Sequence, residues 1–446
     1  MKKSITGLLL FFSFSSFSQV SDKAMEFSIK QAVDYSFEHQ VDVVNAKLDE
    51  EISNAQVKEV IGMGLPQVSA SFDVKDYVSL PTSLIPAEFF DGTPGTYKAI
   101  KFGTRYNATA GVSASQLIFE PSYIVGVQAA KTVKELSKKN LVRTKIETAV
   151  SITKAYYMVL LMRDRKKVID ANVVRLEKYN KDVKAMYDNG FVEKIDADRI
   201  LVAYNNITVE QTNFDRVIQT LESALKFQMG LSPNVSISLT DSLNPEAIKN
   251  FSVSLDNVSP EKRIEYSLLK TQEQLQTYNV KRYKAQYLPS IVAYGSLNAN
   301  AQRSKFNIFD QSYKWYPIGI IGATLSINIF DGMTREYKIR HENLSLKKIQ
   351  NNLEAFSNGV QLQVGSSRAT LTSAIASLNT QKDNLELAES VNKTTKIKYD
   401  QGVGSNLELL TSETALKEAQ SNYYNALYDA IIAKIDLDKS LGNFTY

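Results

Sequence analysis

Cysteine is absent from the chain of 446 residues, and histidine is nearly so, with only two residues. The lack of thiols excludes disulfides, iron–sulfur clusters, zinc knuckles and cysteine nucleophiles. His39 and His341 leave little room for histidine-based metal sites or for a Ser/His/Asp triad. The formal net charge is only +4, which is unlike the one-sided positive surface of a nucleic-acid-binding protein. These absences point away from catalysis and towards an architectural role.

Long hydrophobic runs are missing beyond the N-terminus, and a mean hydropathy of −0.22 is unlike that of a polytopic helical membrane protein. Two lysines precede an apolar run over 5–17, which is shorter than the about 20 residues that a membrane-spanning helix needs. The small residues Ser16 and Ser18 match a small-x-small cleavage pattern, so we predict a signal peptide over 1–18. We therefore expect a periplasmic chain, a secreted chain, or β-structure in an outer membrane.

Proline and glycine are absent from several long stretches. Neither occurs between Gly126 and Gly190, and a helix through that stretch would be roughly 95 Å long. Apolar residues recur there and elsewhere at steps of three and four, which predicts coiled-coil-like packing of long helices. We predict these helices over ~122–188, ~192–230, ~332–400 and ~405–441, the third of which contains Gly359 and Gly365 in its interior.

Four segments alternate between apolar and small polar residues with a period of two. Patterns of this kind over about ten residues are typical of outer-membrane β-strands. Tyr77 and Trp315 lie near predicted strand ends, where an aromatic girdle would be. The alternative is a soluble β-sandwich, which suits strands isolated between very long helices poorly. We predict strands over ~66–80, ~104–119, ~289–301 and ~316–330, joined in pairs by the polar loops 81–103 and 302–315.

The two halves of the chain resemble each other. A Leu-Pro pair precedes the first strand of each half, at Leu65–Pro66 and Leu288–Pro289. Further on, Tyr187–Gly190 aligns with Tyr399–Gly402, and the same register aligns the residues that follow. Each half therefore predicts a helix, a strand pair, a long helix, a glycine turn and a second long helix. We assign the first half-repeat to 19–230, a connecting segment to 231–260 and the second half-repeat to 261–446.

Four transmembrane strands cannot span a bilayer alone, because an open sheet leaves unpaired backbone groups in hydrocarbon. The smallest closed bacterial barrels have about eight strands, so the chain must oligomerise. Eight-stranded barrels are filled by their own side chains, whereas the small polar face here suggests a lumen, which favours three copies over two. The predicted fold class is mostly α with transmembrane β: a long α-helical barrel, and a β-barrel shared by a trimer with four strands from each chain.

On these half-repeats, Leu-Pro pairs and glycine turns, the chain resembles the TolC family of outer membrane efflux proteins over nearly all of its mature length. The resemblance implies a homotrimer in contact with outer membrane lipid, with a long helical extension in the periplasm. It also implies docking through the helical tips to a periplasmic adaptor protein, which is bound in turn to an inner-membrane pump. We expect no cofactor, no metal ion and no nucleic acid.

The resemblance also assigns roles to particular residues. Gly190 and Gly402 match the family's turn glycines at the tips, with Phe191 and Val403 directly behind them. The tips are where the resemblance places contacts with the adaptor. The alternative is that these are ordinary helix-connecting turns, for which glycine is suited because it accepts positive φ.

Asp196 and Glu408 fall where family members carry acids near the constricted periplasmic end. The resemblance implies a cation-selecting carboxylate ring there, and Tyr399 matches a tyrosine in the contacts that hold the tip closed. The chain departs from the family pattern at Thr411, where a second acid is often found, and at Gly404, where a basic residue can occur. Glu408 can alternatively be a solvated acid on a helix surface.

We predict a passive outer membrane conduit of a tripartite efflux or type I export system, which carries substrates from the periplasm or the inner-membrane pump to the outside. The alternative is a periplasmic or surface coiled-coil scaffold, which would explain the helices but not the alternating strands. The chain contains no glycine-rich phosphate loop, no metal-spaced His/Asp cluster and no nucleophile motif, so it is not expected to be an enzyme.

Overall fold

The computed structural model describes residues 24–243, 258–444 and 446. The predicted signal peptide at 1–18 lies outside the described residues, as does the part of the predicted connecting segment over 244–257. The chain divides into two units, each assembled from three separate segments. The turn unit comprises Met1–Val43, Glu147–Val253 and Ala369–Asp436, and the sheet unit comprises Val44–Ile146, Ser254–Arg368 and Leu437–Tyr446.

Long helices account for most of the described chain. The helices are α1 (Ile29–His39), α2 (Val41–Gly62), α3 (Pro121–Asp188), α4 (Lys194–Met229), α5 (Ile264–Ala285), α6 (Thr334–Asp400) and α7 (Asn406–Leu441). α3 and α6 have 68 and 67 residues, and each is followed by a helix of 36 residues. Pro121 is the first residue of α3. Proline suits this position because the first N–H groups of a helix have no partner within the helix, so the missing N–H of proline costs no hydrogen bond. Within the described ranges, no helix combines the length and the hydropathy needed to cross a membrane.

The four long helices α3, α4, α6 and α7 are all followed by a glycine in the left-handed region. The φ angles of Gly190, Gly230, Gly402 and Gly442 are +80°, +78°, +74° and +75°. At the end of α3 the Gly190 N–H donates to the Tyr187 carbonyl, and the next N–H donates to the Met186 carbonyl, both at 2.9 Å. The other three helix ends repeat these two bonds. This is the Schellman motif, which satisfies the last carbonyls of a helix.

The turn unit also contains a small parallel strand pair. β1 (Met25–Phe27) pairs with β6 (Ile237–Leu239), two segments separated by more than 200 residues of chain. Tyr156 of α3 is fully buried, and its hydroxyl donates to the Phe27 carbonyl at 2.8 Å. Asp241, just after β6, accepts a hydrogen bond from the Ile29 N–H at 2.7 Å and so caps the start of α1. Neither strand was predicted from the sequence.

The sheet unit is built around one antiparallel sheet with the order β2–β5–β7–β8. Its strands are β2 (Gln67–Asp76), β5 (Tyr106–Phe119), β7 (Ser290–Arg303) and β8 (Tyr316–Ser326). The sheet is open, since β2 and β8 each have a partner on one side only within the described residues. A separate hairpin of β3 (Thr82–Pro86) and β4 (Tyr97–Lys101) lies in the predicted polar loop 81–103.

The ladder places apolar residues of the four strands on one face. Residues directly opposite each other in an antiparallel pair share a face, so Phe72, Ala110, Ala299 and Pro317 form one row. Small polar residues of β2, β5 and β7 occupy the other face, where the Ser69 and Ser113 hydroxyls lie 2.9 Å apart. The separation is less regular in β8, since Ile318 and Ile320 are on the face of Asn298 and Ser296.

Two strands are shorter than the sequence pattern predicts. The strand predicted over 316–330 ends at Ser326, although apolar and polar residues continue to alternate beyond it. Ser326 pairs with Ser290, the first residue of β7, so residues 327–330 have no neighbouring strand to pair with. Similarly, the strand predicted over 66–80 ends at Asp76, whose partner Tyr106 is the first residue of β5. Alternation alone does not reveal where the partner strand stops.

Candidate functional site

The predicted tip residues lie in the two turns that join α3 to α4 and α6 to α7. No atom lies within 4 Å of a Cβ built on Gly190 or on Gly402, so these glycines are required by their positive φ and not by close packing. The side chains of Phe191 and Val403, which directly follow, are 81% and 78% exposed. A hydrophobic residue in this position of a Schellman motif usually packs back onto the helix. Here each turn instead presents an apolar side chain to its surroundings.

Asp196 lies in the first turn of α4, where the helix dipole favours a negative charge. Its carboxylate is partly covered, with 26% side-chain exposure, and lies 3.6 Å from the guanidinium of Arg199. The side-chain amide of Asn406 donates to the Asp196 main-chain carbonyl at 3.0 Å and approaches its carboxylate at 3.4 Å. Asn406 is buried and begins α7. These bonds therefore join the start of α4 to the start of α7.

Tyr399 lies at the end of α6, half-buried against an apolar cluster that includes Val183, Ile200 and Leu409. Its hydroxyl is 4.0 Å from the sulfur of Met186. Burial raises the pKa of the Tyr399 phenol, and the Asp196 carboxylate raises it further. Two of the predicted gate residues, Tyr399 and Asp196, therefore interact electrostatically within one chain.

Glu408 is exposed in the first turn of α7. Its backbone N–H donates to the hydroxyl of Ser405 at 3.1 Å, which makes Ser405 the N-cap of the helix. The Glu408 carboxylate makes no hydrogen bond or ion pair with the described part of the chain. Glu408 is therefore not joined to the Asp196 group within one chain, and its assignment to a carboxylate ring stays a prediction.

Sequence reasoning missed two residues of this region. One is Asn406, which in the sequence is an ordinary polar residue at the start of a predicted helix. The other is Glu413, whose side chain is only 6% exposed and pairs with the guanidinium of Arg175 at 2.8 Å. Burial raises the pKa of the adjacent Tyr179 to about 12, and the Glu413 carboxylate contributes to this shift. Both residues lie in a helical sequence pattern that does not distinguish a buried polar side chain from a solvated one.

Metal binding has no candidate here, since the described residues contain no cluster of three or more histidine and acidic side chains that could hold an ion. A groove of about 320 Å³ does lie beside the turn residues, between α3, α4 and α7. Its lining includes Arg199, Ile207, Leu410 and Lys417. The surface of the groove is thus a mixture of apolar and charged side chains.

Known proteins are similar to this chain in sequence and in fold. Residues 269–443 match the model of a family described as outer membrane efflux protein. The chain is 20% identical over 347 residues to outer membrane protein TolC of Vibrio cholerae, and this match covers 76% of the chain and 77% of the relative.

Solved structures of outer membrane proteins extend the match to nearly the whole chain. For VceC of Vibrio cholerae the TM-score is 0.71 at 14% identity, covering 93% of this chain and 96% of that one. For the CmeC channel of Campylobacter jejuni the TM-score is 0.73 at 13% identity, covering 94% of this chain and 86% of that one. For the open state of the MtrE channel of Neisseria gonorrhoeae the TM-score is 0.72 at 15% identity, covering 93% of this chain and 88% of that one. The TM-scores show a shared fold, and at identities this low the comparison shows the fold alone.

Proposed function

We propose that this chain, an outer membrane efflux protein of the TolC family, is the passive outer membrane channel of a tripartite efflux or type I export system. The protein lies in the outer membrane and has a long periplasmic extension. The observation that carries the proposal is the open four-stranded sheet with one apolar face, joined to long helices in a fold that outer membrane channels share.

The exposed apolar face of the sheet supports a position in lipid. Val68 is 68% exposed, Leu297 is 66% exposed and Ile321 is 95% exposed, all on the same face. An open sheet edge in hydrocarbon would leave backbone N–H and C=O groups unpaired, so β2 of one chain must pair with β8 of another. Three copies would close a barrel of about 12 strands, wide enough for a lumen lined by the small polar face.

The long helices would continue this trimer into the periplasm as a helical barrel. Each half of the chain contributes a long helix and a shorter one, with 68 and 36 residues in the first half and 67 and 36 in the second. These matched lengths support two internal repeats that place both glycine turns at the same end. The chain itself performs no chemistry, and the energy for transport comes from the inner-membrane pump.

The two turns would be the docking surface for the periplasmic adaptor. Phe191 and Val403 are exposed in the turns at the ends of two helix pairs, where most of each side chain is free of contacts with its own chain. Burying such a side chain against a partner contributes about 1.5–3 kcal/mol. The adaptor would thus recognise a small apolar contact at each turn.

The same end of the helices would carry the gate. Threefold symmetry would repeat Asp196 and Glu408 around the axis, and a ring of carboxylates raises the local negative potential and attracts cations. Within each chain the Asn406 side chain links α7 to Asp196, which holds the two turns together. Opening would require these contacts to give way when the adaptor binds.

The experiment that tests the proposal is light scattering on the protein extracted from the outer membrane fraction, followed by planar-bilayer recordings of the same sample. A trimer with ion conductance is the expected result. A monomer or dimer that is absent from the membrane fraction and gives no conductance would reject the channel and support the scaffold alternative.

A further inference from the structure

The loop between β7 and β8, residues 304–315, folds back over one face of the sheet. Its Ile308 is 1% exposed and packs on Ala108 of β5 and Ala301 of β7, which are opposite each other in the ladder. Further along the loop, the rings of Phe309 and Trp315 lie 6.2 and 6.5 Å from the ring of Phe72 on β2. The loop therefore crosses β7, β5 and β2. We name residues 304–315 the flap.

The flap lies on the apolar face of the sheet. Val74, Ala108 and Ala301 form one row of that face, and the row of Phe72 is next to it. Both rows are at the end of the sheet farthest from the strand ends that continue into α3 and α6. In the proposed channel, on which this inference rests, the flap therefore covers the lipid-facing surface at the level of the outer leaflet.

Arg303 anchors the flap to the sheet. Its side chain is 6% exposed, and its guanidinium donates to the Gln302 carbonyl at 3.0 Å and to the Lys314 carbonyl at 3.1 Å. The same group lies 5.1 Å from the ring centre of Tyr313. These contacts join the end of the flap to its beginning.

The exposed side chains of the flap combine aromatic rings with unpaired positive charges. Phe306, Phe309 and Tyr313 are 64%, 75% and 50% exposed. Lys305 and Lys314 are also exposed, and neither side chain makes an ion pair or hydrogen bond in the described part of the chain. Asp310 is the sole acid between residues 304 and 315. Aromatic rings are favoured at the headgroup level of a bilayer, and lysines there reach anionic headgroups.

We propose that the flap binds the phosphate groups of an anionic outer-leaflet lipid. Lys305 and Lys314 contact the phosphates, while Phe309 and Trp315 lie against the beginning of the acyl chains. A lipid is favoured over a soluble ligand because two lysines without partners among the described residues, Lys305 and Lys314, lie in the same loop as exposed aromatic rings. A soluble anion would satisfy the lysines but would leave the aromatic rings in water.

Trp315 allows a direct test, because it is the sole tryptophan of the chain. The full-length protein is reconstituted in phosphatidylcholine vesicles whose acyl chains carry bromine near the headgroup. We expect bromine to quench the Trp315 emission and aqueous iodide to leave it nearly unchanged. Strong quenching by iodide without quenching by bromolipid would place the flap in water and overturn the proposal.

The lysines are tested by Lys305→Gln/Lys314→Gln, with Lys347→Gln/Lys348→Gln on α6 as a control that removes the same charge. Trp315 emission is titrated with phosphatidylcholine vesicles that contain a diphosphorylated glycolipid, its dephosphorylated form, or neither. A lysine near an anionic surface contributes about fivefold to the affinity, so the double substitution should weaken binding roughly 25-fold. The control variant should bind as the native protein does.

Equal binding of the dephosphorylated lipid, or equal weakening in the control variant, would overturn the proposal. Inorganic phosphate should not reproduce the change in emission, and if it does, the flap recognises a free anion and not a lipid. Planar-bilayer conductance of the same samples separates this inference from the proposed function. Conductance without phosphate-dependent lipid binding would reject the flap site alone, whereas a loss of conductance in the native protein would reject the channel.

Discussion

The backbone of Gly230 lies directly against the main-chain carbonyl of His39. A Cβ built on Gly230 would be 2.4 Å from that oxygen, so only glycine fits at the end of α4. In the sheet unit Gly442 has the same relationship to the carbonyl of Lys262, at 2.9 Å. The turn glycines Gly190 and Gly402 share the positive φ but have no close neighbour. Helix-ending glycines that look alike in the sequence are therefore held by different constraints.

Alanine substitution should separate the two constraints. Gly190→Ala introduces only the left-handed penalty of about 1–2 kcal/mol. Gly230→Ala adds a clash with the His39 backbone, which cannot move aside as a side chain can. The melting temperature of Gly230→Ala should therefore fall further than that of Gly190→Ala. Thermal unfolding of both variants, followed by circular dichroism, measures the difference. Equal melting temperatures would mean that the contact with His39 relaxes without cost.

Asn406→Ala should loosen the connection between α4 and α7. The substitution removes the hydrogen bond to the Asp196 carbonyl, and one such bond contributes about 1 kcal/mol, or roughly fivefold in a conformational equilibrium. We expect a higher open probability in planar bilayers. Asn351→Ala, at an exposed position of α6, is the matched control. Identical open probabilities for the two variants would show that Asn406 does not restrain the gate.

Glu408→Gln should weaken block of the channel by divalent cations. The substitution keeps the size of the side chain and removes one negative charge from each subunit, so a carboxylate ring would lose much of its potential. Glu418→Gln, an exposed acid farther along α7, serves as the control. Conductance is recorded over a series of cation concentrations, and unchanged block in Glu408→Gln would reject Glu408 as a member of the ring.

Alkaline pH should destabilise the turn unit through its buried tyrosines. Burial raises the pKa of Tyr156 to about 12, whereas the phenol of an unfolded chain titrates near 10. Between about pH 10 and pH 12 the folded state holds a proton that the unfolded state loses, so stability falls as the pH rises through this window. Melting temperatures measured below and within the window test this. Tyr156→Phe should melt lower at neutral pH, through the loss of its bond to Phe27, and show a shallower alkaline decline.

Phe191→Ser should abolish transport that depends on the adaptor while leaving the trimer intact. The side chain is exposed at the turn, so its removal costs the folded chain little and costs the docked state an apolar contact. Phe227→Ser is a close control, since Phe227 is 78% exposed near the other end of α4. Dye export from cells that express each variant measures the effect. Full transport by Phe191→Ser would remove this residue from the docking surface.

Several features could be predicted because their causes are local. The stretches poor in proline and glycine form α3, α4, α6 and α7, with ends within a few residues of the predicted positions. The glycine turns could also be predicted, because glycine itself accepts the positive φ found at Gly190 and Gly402. The period-two segments form strands because alternation places one face of each strand against a different environment.

Features that join distant segments could not be predicted in this way. The bond from Asn406 to Asp196, the pairing of β1 with β6 and the burial of Glu413 each depend on residues about 200 or more positions apart. The flap is a further case, because the sequence of residues 304–315 predicts a polar loop, whereas in the structure Ile308 packs on Ala108. Helix formation, turns and alternation are encoded in neighbouring residues, whereas partner strands, buried ion pairs and covered faces exist only once separate segments have packed together.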